Sequence, residues 1–250
     1  MIYITGDCHG DFRRFNRECF PEQKEMNRED TVIILGDFGG VWDYRGESSN
    51  ERYWLDWLEK KPYTTIFVDG NHENHVRLAE YPVREWKGGL VHEIRPHVLH
   101  LMRGEVFLLE GLKIFAFGGA SSHDIRDGIL DPVGDARLIK KWSRMPFKMF
   151  RVNGVSWWKE ELPSEEEMRR GKENLKKHDN QVDYIISHSP SASVAAMMGL
   201  GTQKQDVLTE YLEEIRQSIQ YRRHFCGHLH MDRQVNEKDI LLYEQIVRIA

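Results

Sequence analysis

The stretch MIYITGDCHG at residues 1–10 decides how the chain is read, because TVIILGDFGG at 31–40 and TTIFVDGNHE at 64–73 repeat its form. In each, a short apolar run rich in β-branched residues (1–6, 31–36 and 64–70) ends in a Gly-Asp or Gly-Asn loop, as a buried strand does. A more polar, helix-like stretch follows each run. After the second, Ser48-x-x-Glu51 reads as a capping box opening a helix with Trp54, Leu55 and Leu58 on one side. Strand alternating with helix predicts a parallel sheet covered on both faces.

From 89 to 118 the pattern changes to strand after strand: GLVHEI, HVLHLM, EVFLLE and LKIFAFGG, separated by Arg-Pro, Arg-Gly and Glu-Gly turn signals. Meander-like pairing is expected there. Residues 120–180 hold few strand signals and many charges. Within them Ser164-x-x-Glu167 caps a strongly charged helix running to about residue 178, which Gly171 weakens. This helical and loop segment is expected to be a surface excursion beside the functional site. VDYIISH at 182–188 returns to the sheet, and Val207, Leu208, Tyr211, Leu212, Ile215 and Ile219 form the apolar face of a helix. RRHFCGH and ILLYEQIVRIA supply closing strands. With no solenoid repeat, low-complexity tract or linker, residues 1–250 read as one domain.

Composition excludes several classes. The hydrophobic share of 40% over 250 residues is enough for a sizeable core. A net charge of −5 disfavours a broad basic face for long duplex nucleic acid, so a charged substrate must be met locally. Cys8, Cys19 and Cys226 are odd in number and lack the paired spacing of a structural zinc site, which suits a reducing compartment. The start of the chain has no basic region or cleavage site, and no apolar run approaches the roughly 20 residues that span a bilayer. A cytoplasmic protein away from membranes is expected.

Five polar clusters stand where predicted strands end: Asp7-Cys8-His9-Gly10, Gly36-Asp37, Gly70-Asn71-His72-Glu73, Ser187-His188-Ser189 and Gly227-His228-Leu229-His230. Loops leaving the carboxyl ends of parallel strands converge, and ligands collect there. The side chains are imidazole, carboxylate and one amide oxygen, a mixture that suits Mn, Fe or Zn better than a thiolate site or an all-oxygen cage. Seven such residues can hold two divalent ions if one residue is shared. A carboxylate can bridge with one oxygen per ion, and Asp37, alone on its turn, is the natural bridge.

The series GDCHG, GD, GNHE, SHS and GHLH, in that order and across nearly the whole chain, resembles the calcineurin-like metallophosphoesterase superfamily. The resemblance implies an α/β two-sheet sandwich flanked by helices, with a binuclear metal centre at the strand ends. Carried over by position, Asp7, His9, Asp37 and His230 would hold one ion, and Asp37, Asn71, His188 and His228 the other. It implies a hydrolase, phosphatase or phosphodiesterase, acting on a small phosphoester that could be a nucleotide. In such a centre a metal-bridging hydroxide attacks phosphorus in line. His72, unligated beside the metals, would supply a proton to the leaving alkoxide.

Bland readings stand beside these. Asn71 could be a left-handed turn residue and His188 a cap for the following Ser-Pro-Ser segment. Cys8 and Cys226 read as small buried hydrophobes. His123 and Asp124 follow Gly118-Gly119 and could touch substrate or only shape a turn; adjacency argues against a Ser-His-Asp relay. Trp157 and Trp158 could stack a nucleobase or anchor the excursion. The basic cluster from Arg126 to Lys148 reads as solvated surface or a local groove. His75, His92, His97, His100, His178 and His224 lack motif context and read as structural or solvated. The stretch GDFGGVWDYRG departs from the protein serine/threonine phosphatase pattern, which makes that activity an alternative only, as are a nuclease and a non-catalytic metal-binding scaffold. Oligomeric state has no signature in the chain.

Overall fold

The first strands show no in–out alternation of burial in the computed structural model, which describes residues 1–200 and 205–250. β1 (Ile2–Thr5), β2 (Thr31–Ile34) and β3 (Thr64–Phe67) are buried at every position. Their side chains nonetheless point alternately to two apolar layers. Ile2, Ile4, Ile33 and Ile66 pack with Ile114, Ala116, Ile186 and Phe225 of a second sheet. Tyr3, Val32, Ile34 and Phe67 pack the other way, on Leu55 and Leu58 of α1 (Ser49–Glu59) and on Phe12, Phe15 and Phe20. The expected capping box opens α1, with Ser48 and Glu51 bonding reciprocally.

After β3 come α2 (His75–Glu80), β4 (Val83–Trp86), β5 (Gly89–Arg95), β6 (Val98–Leu101), β7 (Glu105–Leu109) and β8 (Leu112–Phe117). The excursion carries β9 (Gly128–Leu130), α3 (Ala136–Trp142), β10 (Phe150–Val152) and α4 (Glu165–Lys177). The remainder holds β11 (Tyr184–Ser187), α5 (Ala192–Ala195), α6 (Val207–Ser218), β12 (Arg223–Cys226), β13 (Arg233–Gln234), β14 (Asp239–Leu241) and β15 (Val247–Arg248). One large sheet has the order β15-β1-β2-β3-β6-β5-β4, the other β13-β14-β12-β11-β8-β7, and β9 and β10 pair apart from both. The centre of each is parallel and its edges antiparallel. Leu175 of α4 and Leu208, Tyr211, Leu212 and Ile215 of α6 cover the outer face of the second sheet. The result is the helix-flanked two-sheet sandwich that the motif series implies. No helix among the described residues is long and apolar enough to cross a membrane.

Three details differ from the sequence reading. The polar stretch after β1 forms 3-10 turns at Arg13–Phe15 and Pro21–Glu25, not an α-helix. The short edge strand β4 escapes the pattern because its residues are only half-buried at best. The meander is cut in two: β5 pairs with β6 and β7 with β8, but in different sheets. One edge of β6 is taken by β5 and the other by β3, so β7 finds no free edge there. Gly171 is also explained, since a Cβ on it would lie 2.3 Å from Tyr211 Oη and 3.3 Å from Gly104 Cα. The glycine lets α4 close on the turn between the two hairpins.

That turn is tied to the loop after β3 by a buried ion pair. Arg103, 5% exposed, places Nε 3.0 Å from Asp69 Oδ2, and His100 and His75 flank the same carboxylate at 3.2 and 3.3 Å. Removing one member of a buried pair strands the other charge, so Arg103→Met is expected to lose about 3–5 kcal/mol in urea denaturation. Adding Asp69→Asn to that variant should recover part of the loss, and independent additive losses would show that the two groups are not coupled.

Candidate metal centre

Five parallel strands from two sheets end at one point. Asp7 leaves β1, Asp37 leaves β2, Asn71 leaves β3, His188 leaves β11, and His228 and His230 leave β12. The loops bend sharply to do this: His9, Asp37, His228 and His230 have φ of 48°, 42°, 67° and 48°, values uncommon for residues with a side chain and held only where surroundings over-determine them. Gly36, at φ 86°, has no alternative, since a Cβ would lie 2.4 Å from the His188 ring. Hydrogen bonds lock the turns together. Asp37 O accepts from Cys8 N and His9 N at 3.0 and 2.7 Å, and buried Glu73 accepts from Gly39 N at 2.9 Å and from Gly70 N.

Atoms of Asp7, His9, Asp37 and His230 all lie within 4.8 Å of one another, a grouping able to hold a cation. His9 Nε2 is 3.0 Å from His230 Nε2 and 3.7 Å from Asp37 Oδ2, and His230 Nε2 is 3.1 Å from Asp7 Oδ2. The other oxygen of Asp37 faces a second group: Oδ1 is 3.3 Å from His188 Nε2, and the His188 and His228 rings are 5.0 Å apart. Asn71 lies on the loop whose His72 N–H donates to the same Asp37 Oδ1 at 2.8 Å. Three buried atoms in this cluster, Asp7 Oδ2, Asn71 Oδ1 and His188 Nε2, make no hydrogen bond within the protein. Such atoms are costly to bury unless something else satisfies them. Carboxylate, amide oxygen and imidazole are the donor set that a borderline divalent ion takes, and the group of Asp7, His9, Asp37 and His230 fits one.

The electrostatics are those of crowded imidazoles around buried carboxylates. Burial opposes a charge on His188, but Asp37 and Asp7 outweigh it and push the imidazolium pKa up to about 10. Burial pulls His228 down to about 3, helped by the neighbouring His188 charge. Burial would raise Asp37, yet His188 and the other histidines hold it below the usual carboxylate range. Cys8 is buried and its thiol pushed up to about 12, which leaves it a small apolar filler and not a thiolate.

His72 stands beside this group, stacked on Trp42 with ring centroids 5.4 Å apart. Its Nε2 accepts a hydrogen bond from Arg151 Nη2 at 3.1 Å, so in this arrangement that nitrogen carries no proton, and burial lowers the ring to about 4. Arg151, 8% exposed, comes from β10 in the excursion, and its Nε is 2.9 and 2.8 Å from the two oxygens of Asp124. The Asp124 carboxylate is thus turned to Arg151, whereas His123 lies beside His228, ring centroids 5.7 Å apart. Trp158 is buried edge-on to Trp42 at 5.4 Å and anchors the excursion. Neither Arg151 nor Trp42 stands in a motif, and no spacing in the sequence marks them. The histidines outside the motifs are largely structural; His224 Nε2, for example, is 2.7 Å from Ser187 Oγ.

A histidine ordinarily titrating at 6.5 and held to about 10 in the fold stabilises the metal-free protein fully below about 6.5, and that contribution drains away as pH rises toward 10. His228 and His72, pulled down, act oppositely and cost stability as pH falls below 6.5. With chelator present, the melting temperature should therefore fall between pH 7 and 10, and His188→Asn should flatten that limb. A limb of equal slope in the variant would assign the titration elsewhere.

The model of the calcineurin-like phosphoesterase family matches residues 1–232. The chain is 28% identical over 141 residues to lariat debranching enzyme A of Xenopus laevis, covering 51% of this chain and 25% of that protein. It is 30% identical over 139 residues to the lariat debranching enzyme of Schizosaccharomyces pombe, covering 51% and 27%. The Homo sapiens lariat debranching enzyme is 26% identical over 141 residues, covering 51% and 24%. The chain thus spans about a quarter of the length of these relatives in the matched region. Five loops, a carboxylate facing two groups of polar side chains and a family match across nearly the whole length make one statement together: this chain belongs to the calcineurin-like phosphoesterase family.

Proposed function

We propose that the protein hydrolyses a small phosphoester, a phosphodiester before a monoester, at a two-metal centre held by Asp7, His9, Asp37, Asn71, His188, His228 and His230. The observation that carries this reading is Asn71 Oδ1, buried without a hydrogen bond in the protein, beside a buried carboxylate that faces histidines on two sides. When bound, two divalent ions supply positive charge to the phosphoryl oxygens and acidify a water for attack near neutral pH. Relatives whose names state a debranching activity favour the diester side, because opening a branch cuts a bond joining two parts of a chain.

The protein's own groups orient the rest. Asp37 shares its carboxylate between the two groups, and the left-handed turns at His9, His228 and His230 hold the imidazoles from the rim. His72 and Arg151 stand together on one side, where an ester oxygen leaving phosphorus would meet an N–H donor. The guanidinium is held by Asp124, so its direction is set before substrate arrives.

A panel of aryl phosphomonoesters, bis-aryl phosphodiesters, cyclic nucleotides and short single strands, assayed after loading with Mn²⁺, Fe²⁺ or Zn²⁺, tests the proposal. Hydrolysis should be abolished by chelator and reduced by more than about 100-fold in Asp37→Asn, beyond the loss typical of residues outside the ligand set. Activity unaffected by Asp37→Asn would belong to a contaminant. His72→Asn should retain metal but lose turnover on alkyl esters, because His72 Nε2, unprotonated in this arrangement, holds the Arg151 N–H that would meet the leaving oxygen. Nitrophenyl esters, which leave unaided, should lose far less. Equal losses on both would remove His72 from the leaving-group side.

A further inference from the structure

A cavity of about 940 Å³ between Tyr44, Arg77 and Trp158 touches none of the seven proposed ligands. A second cavity, of about 360 Å³, opens directly beside them, with His228, Ser189 and His123 on its inner side. An ester arm on a phosphorus bound at the centre has this space next to it. Its volume lies at the low end of ligand pockets, roughly 300–1,000 Å³, which is room for one ring system and its sugar but not for a folded chain.

The lining discriminates by chemistry. Pro190, Ala192 and Ala195 form a wall of small apolar side chains, and Ile125 and Leu229 add to the apolar area. Small apolar side chains of this kind suit contact with the face of a flat ring. Asp206 and Thr209 are among the polar groups of the lining. Asp206 caps α6 by accepting from Leu208 N and Thr209 N at 3.0 and 2.8 Å, both through Oδ1, and neither bond engages Oδ2. A carboxylate oxygen there can accept from an N–H on the edge of a base.

Resting on the phosphoesterase reading, we infer that the cavity beside His123 and His228 receives the nucleoside arm of the substrate, with the base against the Pro190, Ala192 and Ala195 wall and a base N–H turned to Asp206. The protein is then a nucleotide esterase that reads the nucleoside arm on this side of the metal centre.

Ala195→Leu narrows the cavity without touching the proposed metal ligands. Two esters with the same leaving group separate the arm from the chemistry: thymidine 5′-(4-nitrophenyl phosphate) and methyl 4-nitrophenyl phosphate, each assayed with Mn²⁺-loaded protein. In the variant, KM for the thymidine ester should rise about tenfold or more, while the methyl ester changes by less than about twofold. Equal losses on both overturn the inference. Thymidine and guanosine themselves, titrated into metal-free protein and followed by NMR line broadening, should bind the natural protein and be weakened in Ala195→Leu; unchanged binding also overturns it. Should Ala195→Leu lose its cooperative melt, Asp206→Asn serves instead, because asparagine caps a helix as well as aspartate. Guanosine binding is expected to weaken in that variant, and no change overturns the base-edge contact. If neither ester is hydrolysed yet nucleoside binding still falls in the variants, the hydrolase reading fails while the cavity assignment stands.

Discussion

Two carboxylates, Asp7 and Asp37, are buried at the meeting point of two sheets with histidines as their nearest polar neighbours. A buried charge must be paired, and an imidazole on each side is only a partial partner. In the metal-free chain His188 takes up part of the debt by holding a proton well above its ordinary range. Even so, Asp7 Oδ2 and Asn71 Oδ1 go without hydrogen bonds. The rest of the fold serves to keep those groups there against their own solvation.

Two layers of packing do that. The inner faces of both sheets meet in one apolar cluster, so the strands cannot slide without exposing Ile4, Ile33, Ile186 and Phe225. Above the strand ends, Glu73 joins the loops after β2 and β3, and Asp37 O joins the loops after β1 and β2. Burial and the nearby Asp37 charge raise Glu73 to about 8, yet it is kept because two backbone N–H groups point at it. A second buried carboxylate, Asp69, repeats the device one residue before Gly70, with Arg103 as its counter-ion. The centre therefore rests on neighbouring carboxylates that backbone N–H groups and Arg103 hold in place.

The excursion is the part of the chain that turns a metal site into a particular site. Its β10 delivers Arg151 to His72, and its first loop sets His123 beside His228. Trp158 and Trp42 pin it down by edge-on packing. Different excursions on the same two sheets would leave the cluster intact and change what reaches it, which is why the fold by itself does not name a substrate.

Much of this was written in local sequence. Short β-branched runs ending in Gly-Asp, Gly-Asn, Ser-His and Gly-His mark strand ends whatever surrounds them, because strand propensity, turn chemistry and glycine's freedom act within a few residues. The same locality made the capping boxes at Ser48 and Ser164 legible, and the order of the motifs carried the family. What no local rule could supply was the choice of sheet for β7, since that depends on both edges of β6 being taken by strands distant in sequence. Arg151 was hidden for the same reason: among many charged residues of the excursion, only its contact with His72, 79 positions away, distinguishes it. Sequence by itself determined which side chains could gather at the strand ends; tertiary structure decided which neighbours hold them, because burial and hydrogen-bond partners belong to contacts between elements and not to any one of them.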